Sequence, residues 1–152
     1  MERKLTLEQI AKVCRESVED FAEEHEYIGD PNDLMGYCAI ASQLFSDVAA
    51  HFGYKVKVVQ GNAFDGKSDD TNHCWNEYEN MIYDLTATQF IQSNHVHITS
   101  IKNRNYKKFL EGTSRMKRNF STNWPEEQSP TRQYKKIKPY IYESIDLINK
   151  RA

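Results

Sequence analysis

The chain reads as one α+β domain in which helices pack on a small antiparallel sheet, and three observations predict it. Apolar residues recur at three- and four-residue steps near both ends and again from Tyr37 to Phe52, the spacing of a single helix face. Between Tyr54 and Thr86 the pattern changes to alternation broken by a short turn, as in paired strands. A length of 152 residues at 39% hydrophobic suits one core, because second cores belong to considerably longer chains.

The first helix is predicted from Thr6 to Glu26. Leu7, Ile10, Val13, Cys14, Val18 and Phe21 form its apolar stripe, with Thr6 as the N-cap. Cys14 lies on that stripe and suits a small core position. Glu23, Glu24 and Glu26 oppose the helix dipole, so this end is expected to fray or to meet basic residues from the second half. Gly29, Asp30, Pro31, Asn32 and Asp33 then favour turns and break the chain.

A second helix follows from about Tyr37 to Phe52. It buries Ala41, Leu44, Phe45, Val48 and Ala49, and stops at Gly53, which suits the left-handed position after a helix. Cys38, Ala39, Ala41 and Ser42 keep its first turns small, so a sheet can approach closely.

Tyr54, Val56 and Val58 alternate with Lys55 and Lys57, predicting a strand with one wet face. After a polar loop, NHCWNEYEN and MIYDLT form a hairpin turning near Glu79 and Asn80, where Asn tolerates positive φ. Alternation puts His73, Trp75 and Glu77 on one face and Cys74 and Tyr78 on the other. Cys74 is therefore expected to point away from His73. Beyond Phe90, VHITSI suggests another strand, NYKKFLEG a short helix ending at Gly112, and SRMKRNFSTNWPEEQSPTR an irregular basic stretch. Tyr140, Ile141, Ile145 and Ile148 predict a closing helix after Pro139.

Composition narrows the setting. The charged N-terminus lacks the unbroken apolar segment of an export signal, and no run is long enough to span a membrane. Three widely separated cysteines match neither a disulfide framework nor a zinc spacing. Reduced thiols in the cytoplasm are expected. The net charge of -2 hides an asymmetry: residues 1–90 hold 7 Lys+Arg against 17 Asp+Glu, and residues 91–152 hold 13 against 5. A basic half that packs against the acidic first helix accounts for this without a polyanionic partner.

Cys38 at a helix start, His73 on one strand and Asp84 on the next form the constellation that nucleophilic thiol chemistry needs. A helix N-terminus and a nearby imidazole both favour the thiolate, and a carboxylate on an adjacent strand fixes the imidazole tautomer. Taken one at a time, Cys38 also suits a buried small residue, His73 a hydrogen-bonded core histidine and Asp84 a turn acid. A metal site of Cys38, His73, Cys74 and Asp84 is disfavoured by the same alternation, and His95 and His97 read as surface histidines. No cofactor is called for.

The pieces GYCAIAS, GYKVKVVQG, HCWNEY and YDLTATQF, in this order, resemble the transglutaminase-like branch of the papain-type cysteine enzymes. The resemblance covers residues 33–90. It implies a transglutaminase-like, papain-like α+β domain over 1–152, with the nucleophile helix packed on a small antiparallel sheet. It also implies acyl transfer, most simply hydrolysis of a peptide or isopeptide-like amide, with Cys38 as nucleophile, His73 as general base and acid and Asp84 as the group orienting His73. Backbone N–H groups at the helix start are the natural oxyanion donors. Asn32 is the side-chain candidate beside them, since Gln43 lies a turn too far along the helix. Trp75 is expected to pack over the Cys-His pair at the substrate side, and Glu77 to be a hairpin partner or a solvated carboxylate. The expected partner is a protein or peptide substrate, with neither nucleic acid nor membrane. The competing reading is a non-catalytic binding module on the same scaffold. Its basic stretch from Lys102 to Lys138, with Tyr106, Phe109, Phe120, Trp124 and Tyr134 interleaved, would take an acidic protein or nucleic acid.

Overall fold

The computed structural model describes residues 5–24, 37–63, 71–86, 96–102, 118–120 and 134–151. Among them the chain is α+β: helices α1 (Leu7–Glu24), α2 (Cys38–His51) and α3 (Tyr134–Arg151), and strands β1 (Lys57–Ala63), β2 (Thr71–Tyr78), β3 (Met81–Asp84), β4 (His97–Ser100) and β5 (Arg118–Phe120). The strands form one antiparallel sheet in the order β4-β3-β2-β1-β5. No helix among the described residues is long and apolar enough to cross a membrane.

Helix α1 begins as its sequence predicts. The Gln9 N–H donates to the Thr6 hydroxyl at 3.2 Å while the Thr6 N–H donates to Gln9 Oε1 at 2.9 Å, a reciprocal cap that satisfies two donors the helix leaves open. Leu7, Ile10, Val13, Cys14, Val18 and Phe21 are all buried. They meet Leu44, Phe45 and Val48 of α2 and Ile137, Ile141 and Ile148 of α3 in one core. Full burial of a Leu or Phe side chain contributes roughly 1.5–3 kcal/mol.

The acidic end of α1 meets α3. The Tyr140 hydroxyl donates to Glu24, and Arg151 pairs with Glu16 at 3.3 Å. Deeper in the same interface the Ser144 hydroxyl donates to the Tyr140 carbonyl at 2.7 Å. Its only proton is then used, so Ser17, 2.6 Å away, donates to it.

Helix α3 starts five residues before Pro139 rather than after it. The proline sits in the second turn, where it removes the single rung from residue 139 to residue 135, and the buried Ile137, Tyr140 and Ile141 hold the helix across that gap. Three residues of the basic stretch expected to be irregular, Arg118–Phe120, form edge strand β5. The short helix expected at NYKKFLEG lies outside the described residues, as does most of the Lys102–Lys138 stretch.

Gly53 follows α2 at φ 89°, the left-handed conformation its position calls for. The hairpin between β2 and β3 turns on Glu79 (φ 48°) and Asn80 (φ 64°), two successive positive values that match the right-handed twist of the strands. The expected alternation holds through Val58, with Lys55 and Lys57 exposed and Val56 and Val58 buried, and it ends at Val59. Val58 and Val59 are both buried, so this part of the sheet is covered on each face and alternation leaves no wet side there.

Three contacts set α2 along the sheet. Asn76 Nδ2 donates to the Ser42 carbonyl at 3.1 Å, the Ser46 hydroxyl donates to the Val56 carbonyl at 2.9 Å, and the Cys38 side chain meets β2 at His73 and Cys74. Val56 stands one residue before Lys57, which pairs with Glu77. Helix and strand thus run in the same direction: four helical residues rise about 6 Å, close to the roughly 6.6 Å spanned by two strand residues. This alignment brings the N-terminus of α2 to the stretch of β2 that carries His73.

Candidate active site

Cys38 is the first residue of α2. Its N-cap, Tyr37, makes no side-chain cap to the first backbone N–H groups. The Ser42 hydroxyl donates to the Cys38 carbonyl at 2.7 Å, one turn along. The cysteine itself is half-buried. It is more open than His73 and Asp84, which are fully buried.

His73 and Asp84 share a face of neighbouring strands. Trp75 and Asp84 stand across from each other by extension of the Asn76–Tyr83 pair, and His73 lies diagonally next to them. His73 Nε2 and Asp84 Oδ2 are 2.6 Å apart, a short charge-assisted hydrogen bond away from water. With Nε2 so engaged, Nδ1 is the ring nitrogen left for the Cys38 sulfur. The second carboxylate oxygen of Asp84 accepts the Thr86 N–H at 3.1 Å and lies 3.5 Å from the Thr86 hydroxyl. Asp84 is therefore held at both oxygens.

Two further side chains support this arrangement. The Trp75 indole, fully buried, stacks on the His73 ring with centroids 5.9 Å apart and planes at 27°. Its N–H donates to Glu77 Oε1 at 3.1 Å, so Glu77 serves as the indole's acceptor. Arg15 of α1 is 1% exposed despite its charge, and its Nη1 donates to the Leu85 carbonyl at 2.6 Å, one residue beyond Asp84. Glu19 accepts from Arg15 Nε at 2.8 Å. The N-terminal helix thereby ties down the turn that carries Asp84.

Cys74 is where the structure and the alternation argument part. Cys74 does share the helix-facing side with Asn76, yet the parallel course of α2 and β2 that joins Asn76 to Ser42 brings Cys38, one turn earlier, level with Cys74, where each thiol shifts the pKa of the other. A sulfur that meets both His73 and Cys74, consecutive residues on opposite faces, lies level with the strand at its edge. Among the described residues the pairing of β3 with β2 ends at Asn76, short of Cys74 and His73. Alternation predicts the face of a side chain, and it is silent about a neighbour arriving in the plane of the sheet.

The electrostatics follow from these contacts. The Cys74 S–H lowers the Cys38 pKa well below the ordinary thiol range; burial works against it, and the His73 ring adds to the lowering. His73 is opposed by burial but pushed up to about 10, chiefly by the Asp84 carboxylate and then by Cys38. Cys74 is raised by its bond to Cys38 and by burial, and stays a thiol. Both shifts favour a Cys38 thiolate beside a His73 imidazolium. Cys14, by contrast, is raised by burial in the helical core and is an inert thiol.

Of the remaining sequence candidates, Asn32 lies outside the described residues. Gln43 is buried and donates to Asp47 Oδ2 at 3.0 Å. His95 lies outside the described residues, while His97 stands across from Asp84 in the β3–β4 register, half-buried, its pKa lowered by burial and partly restored by that carboxylate. Cys74, Thr86 and Arg15 belong to the site and were not among its predicted residues. Only Thr86 had a local signal, standing two residues after an aspartate in the Asx-turn position.

Neither protein-family models nor curated proteins nor solved structures match the chain, so what characterises it is its own α+β fold and the geometry joining Cys38, His73 and Asp84.

Proposed function

We propose that the protein carries out thiol-dependent acyl transfer of the transglutaminase-like kind, most simply hydrolysis of a peptide or isopeptide-like amide. The observation that carries this reading is the buried 2.6 Å bond from His73 to Asp84, with the half-buried Cys38 near enough to the same imidazole for each to shift the pKa of the other. Structural cysteines are inert where they are buried in apolar surroundings. Reactive ones sit partly exposed beside a cation, as Cys38 does.

In the reaction, the Cys38 thiolate attacks the carbonyl carbon and the charge moves to the carbonyl oxygen. Backbone N–H groups at the start of α2 are the donors available to that oxyanion. His73 Nδ1 gives its proton to the departing amine, and the acyl group remains on sulfur. A water then attacks the thioester, His73 takes its proton, and the acid leaves with the thiolate restored. Asp84 accepts from Nε2 throughout, which keeps the ring oriented and stabilises its charged form. Trp75 holds the ring plane from the side.

The test is acyl trapping. The intact protein is mixed with an activated peptidyl ester, quenched in acid and digested, and the acyl group is located by mass spectrometry. It is expected on Cys38, to be lost with time as acid product accumulates, and to be absent in His73→Ala. Equal acylation of Cys14 and Cys38, or undiminished turnover in Cys38→Ala, would refute the mechanism.

A further inference from the structure

Catalysis by Cys38, His73 and Asp84 has no use for a second thiol, yet Cys74 stands against the first. Its thiol is close enough to Cys38 for each to shift the pKa of the other. The parallel course of α2 and β2 independently places the two together: Ser42 is one turn after Cys38, Asn76 is two residues after Cys74, and Asn76 bonds the Ser42 carbonyl. Both cysteines are free thiols. Cys74 is 5% exposed and Cys38 half-buried, so Cys38 is the more open of the pair.

We propose that Cys38 and Cys74 form a dithiol redox site, in which a hydroperoxide oxidises the Cys38 sulfur and Cys74 closes on it to give a reversible disulfide. In the first step the Cys38 sulfur attacks the distal peroxide oxygen and the O–O bond breaks. The departing alkoxide or hydroxide takes the proton from His73, leaving an alcohol or water and a Cys38 sulfenic acid. Sulfur is oxidised by two electrons and the peroxide reduced by two. Forming the sulfenic acid removes the negative charge that held the Cys74 proton. The Cys74 sulfur then attacks the Cys38 sulfur, hydroxide leaves, and it collects the Cys74 proton as water. A small dithiol reverses the bond by exchange. As a switch on acyl transfer the site rests on Cys38 being the nucleophile of the proposed function; the thiol chemistry is read by mass and does not.

Arg15, Lys55, Lys57, Lys67 and Lys102 lie so that trypsin puts Cys14, Cys38 and Cys74 on three separate peptides. The full chain is treated at neutral pH with one equivalent of hydrogen peroxide, blocked with an alkylating agent and digested without reductant. The expected result is a linked Cys38–Cys74 peptide pair two hydrogens lighter than its parts, loss of two of the three free thiols, and an unmodified Cys14. Dithiothreitol should restore both thiols. In Cys74→Ser, Cys38 should instead carry a sulfenic acid that dimedone traps, and then a sulfinic acid that dithiothreitol cannot reverse. Cys38 sulfinic acid in the unaltered protein with Cys74 still reduced overturns the proposal, as does a Cys38 that peroxide leaves untouched or a bridge to Cys14. A linked pair in a protein that fails acyl trapping would remove the proposed function and leave this site standing.

Discussion

Replacing Asp84 by Asn separates the two demands on this carboxylate. Its Oδ2 accepts from His73 Nε2 at 2.6 Å, and its other oxygen accepts the Thr86 N–H at 3.1 Å. An amide has one acceptor. The Thr86 N–H is backbone and cannot turn, so the Asn oxygen is expected to face Thr86 and its NH2 to face His73. That forces a neutral ring with the proton on Nδ1, aimed at Cys38, where it can neither accept a proton nor pair with a thiolate. Burial, which already opposes the charged ring, then goes unopposed by any carboxylate. Cys38 returns toward an ordinary thiol pKa near 9, at which only about one part in a thousand is thiolate at about pH 6. Alkylation there should slow by about a hundredfold to a thousandfold, the smaller figure allowing for the Cys74 donors that remain. Acyl turnover should fall about 10⁴-fold, or about 5 kcal/mol in the barrier. Iodoacetamide rates on Cys38 across pH, with Cys14 as the internal control, measure the first effect, and imidazole nitrogen shifts report the tautomer. An unchanged alkylation profile in a folded Asp84→Asn protein would show that Asp84 does not set the state of His73.

Stability should carry the same signature through linkage. His73, raised from 6.5 to about 10, contributes stability that is present below 6.5 and is lost as pH rises through about 10. Cys38, depressed from 9.0, contributes stability that is present above 9.0 and is lost as pH falls through its folded value. In the part of the range from 6.5 to 9.0 that lies above the folded Cys38 pKa the two slopes cancel, so urea midpoints should be flat there. In Cys38→Ala only the histidine slope remains, and stability should fall by about 1.4 kcal/mol per pH unit over that window; a flat profile in this variant would contradict the ion pair. Arg15→Met keeps the packing of the stem but strips the donor from the Leu85 carbonyl, which should cost about 1–3 kcal/mol and slow Cys38 alkylation by loosening Asp84; thermal melts and alkylation rates together check it. Gly53→Ala meets open space but a φ of 89°, so it should cost about 1–2 kcal/mol by backbone strain alone while leaving the alkylation rate untouched.

Much of this molecule is written locally. The cap at Thr6, the stop at Gly53 and the turn at Glu79–Asn80 each depend on a few adjacent residues, because capping, left-handed φ and two-residue hairpins are short-range chemistry. The order of Cys38 on a helix and His73 and Asp84 on a hairpin was legible for the same reason: a two-residue turn sets the pairing of β2 with β3, and that register puts His73 diagonal to Asp84. What only the tertiary structure decided are contacts between segments far apart in the chain. Arg15 reaches Leu85 across 70 residues, and nothing near either position announces it. Whether Val59 meets water depended on what covers the second face of the sheet, and a strand's own alternation cannot state that. Cys74 was assigned to the correct face and to the wrong company. A helix end that arrives level with a strand touches residues from both faces, and periodicity along one strand contains no coordinate for a neighbour in its plane.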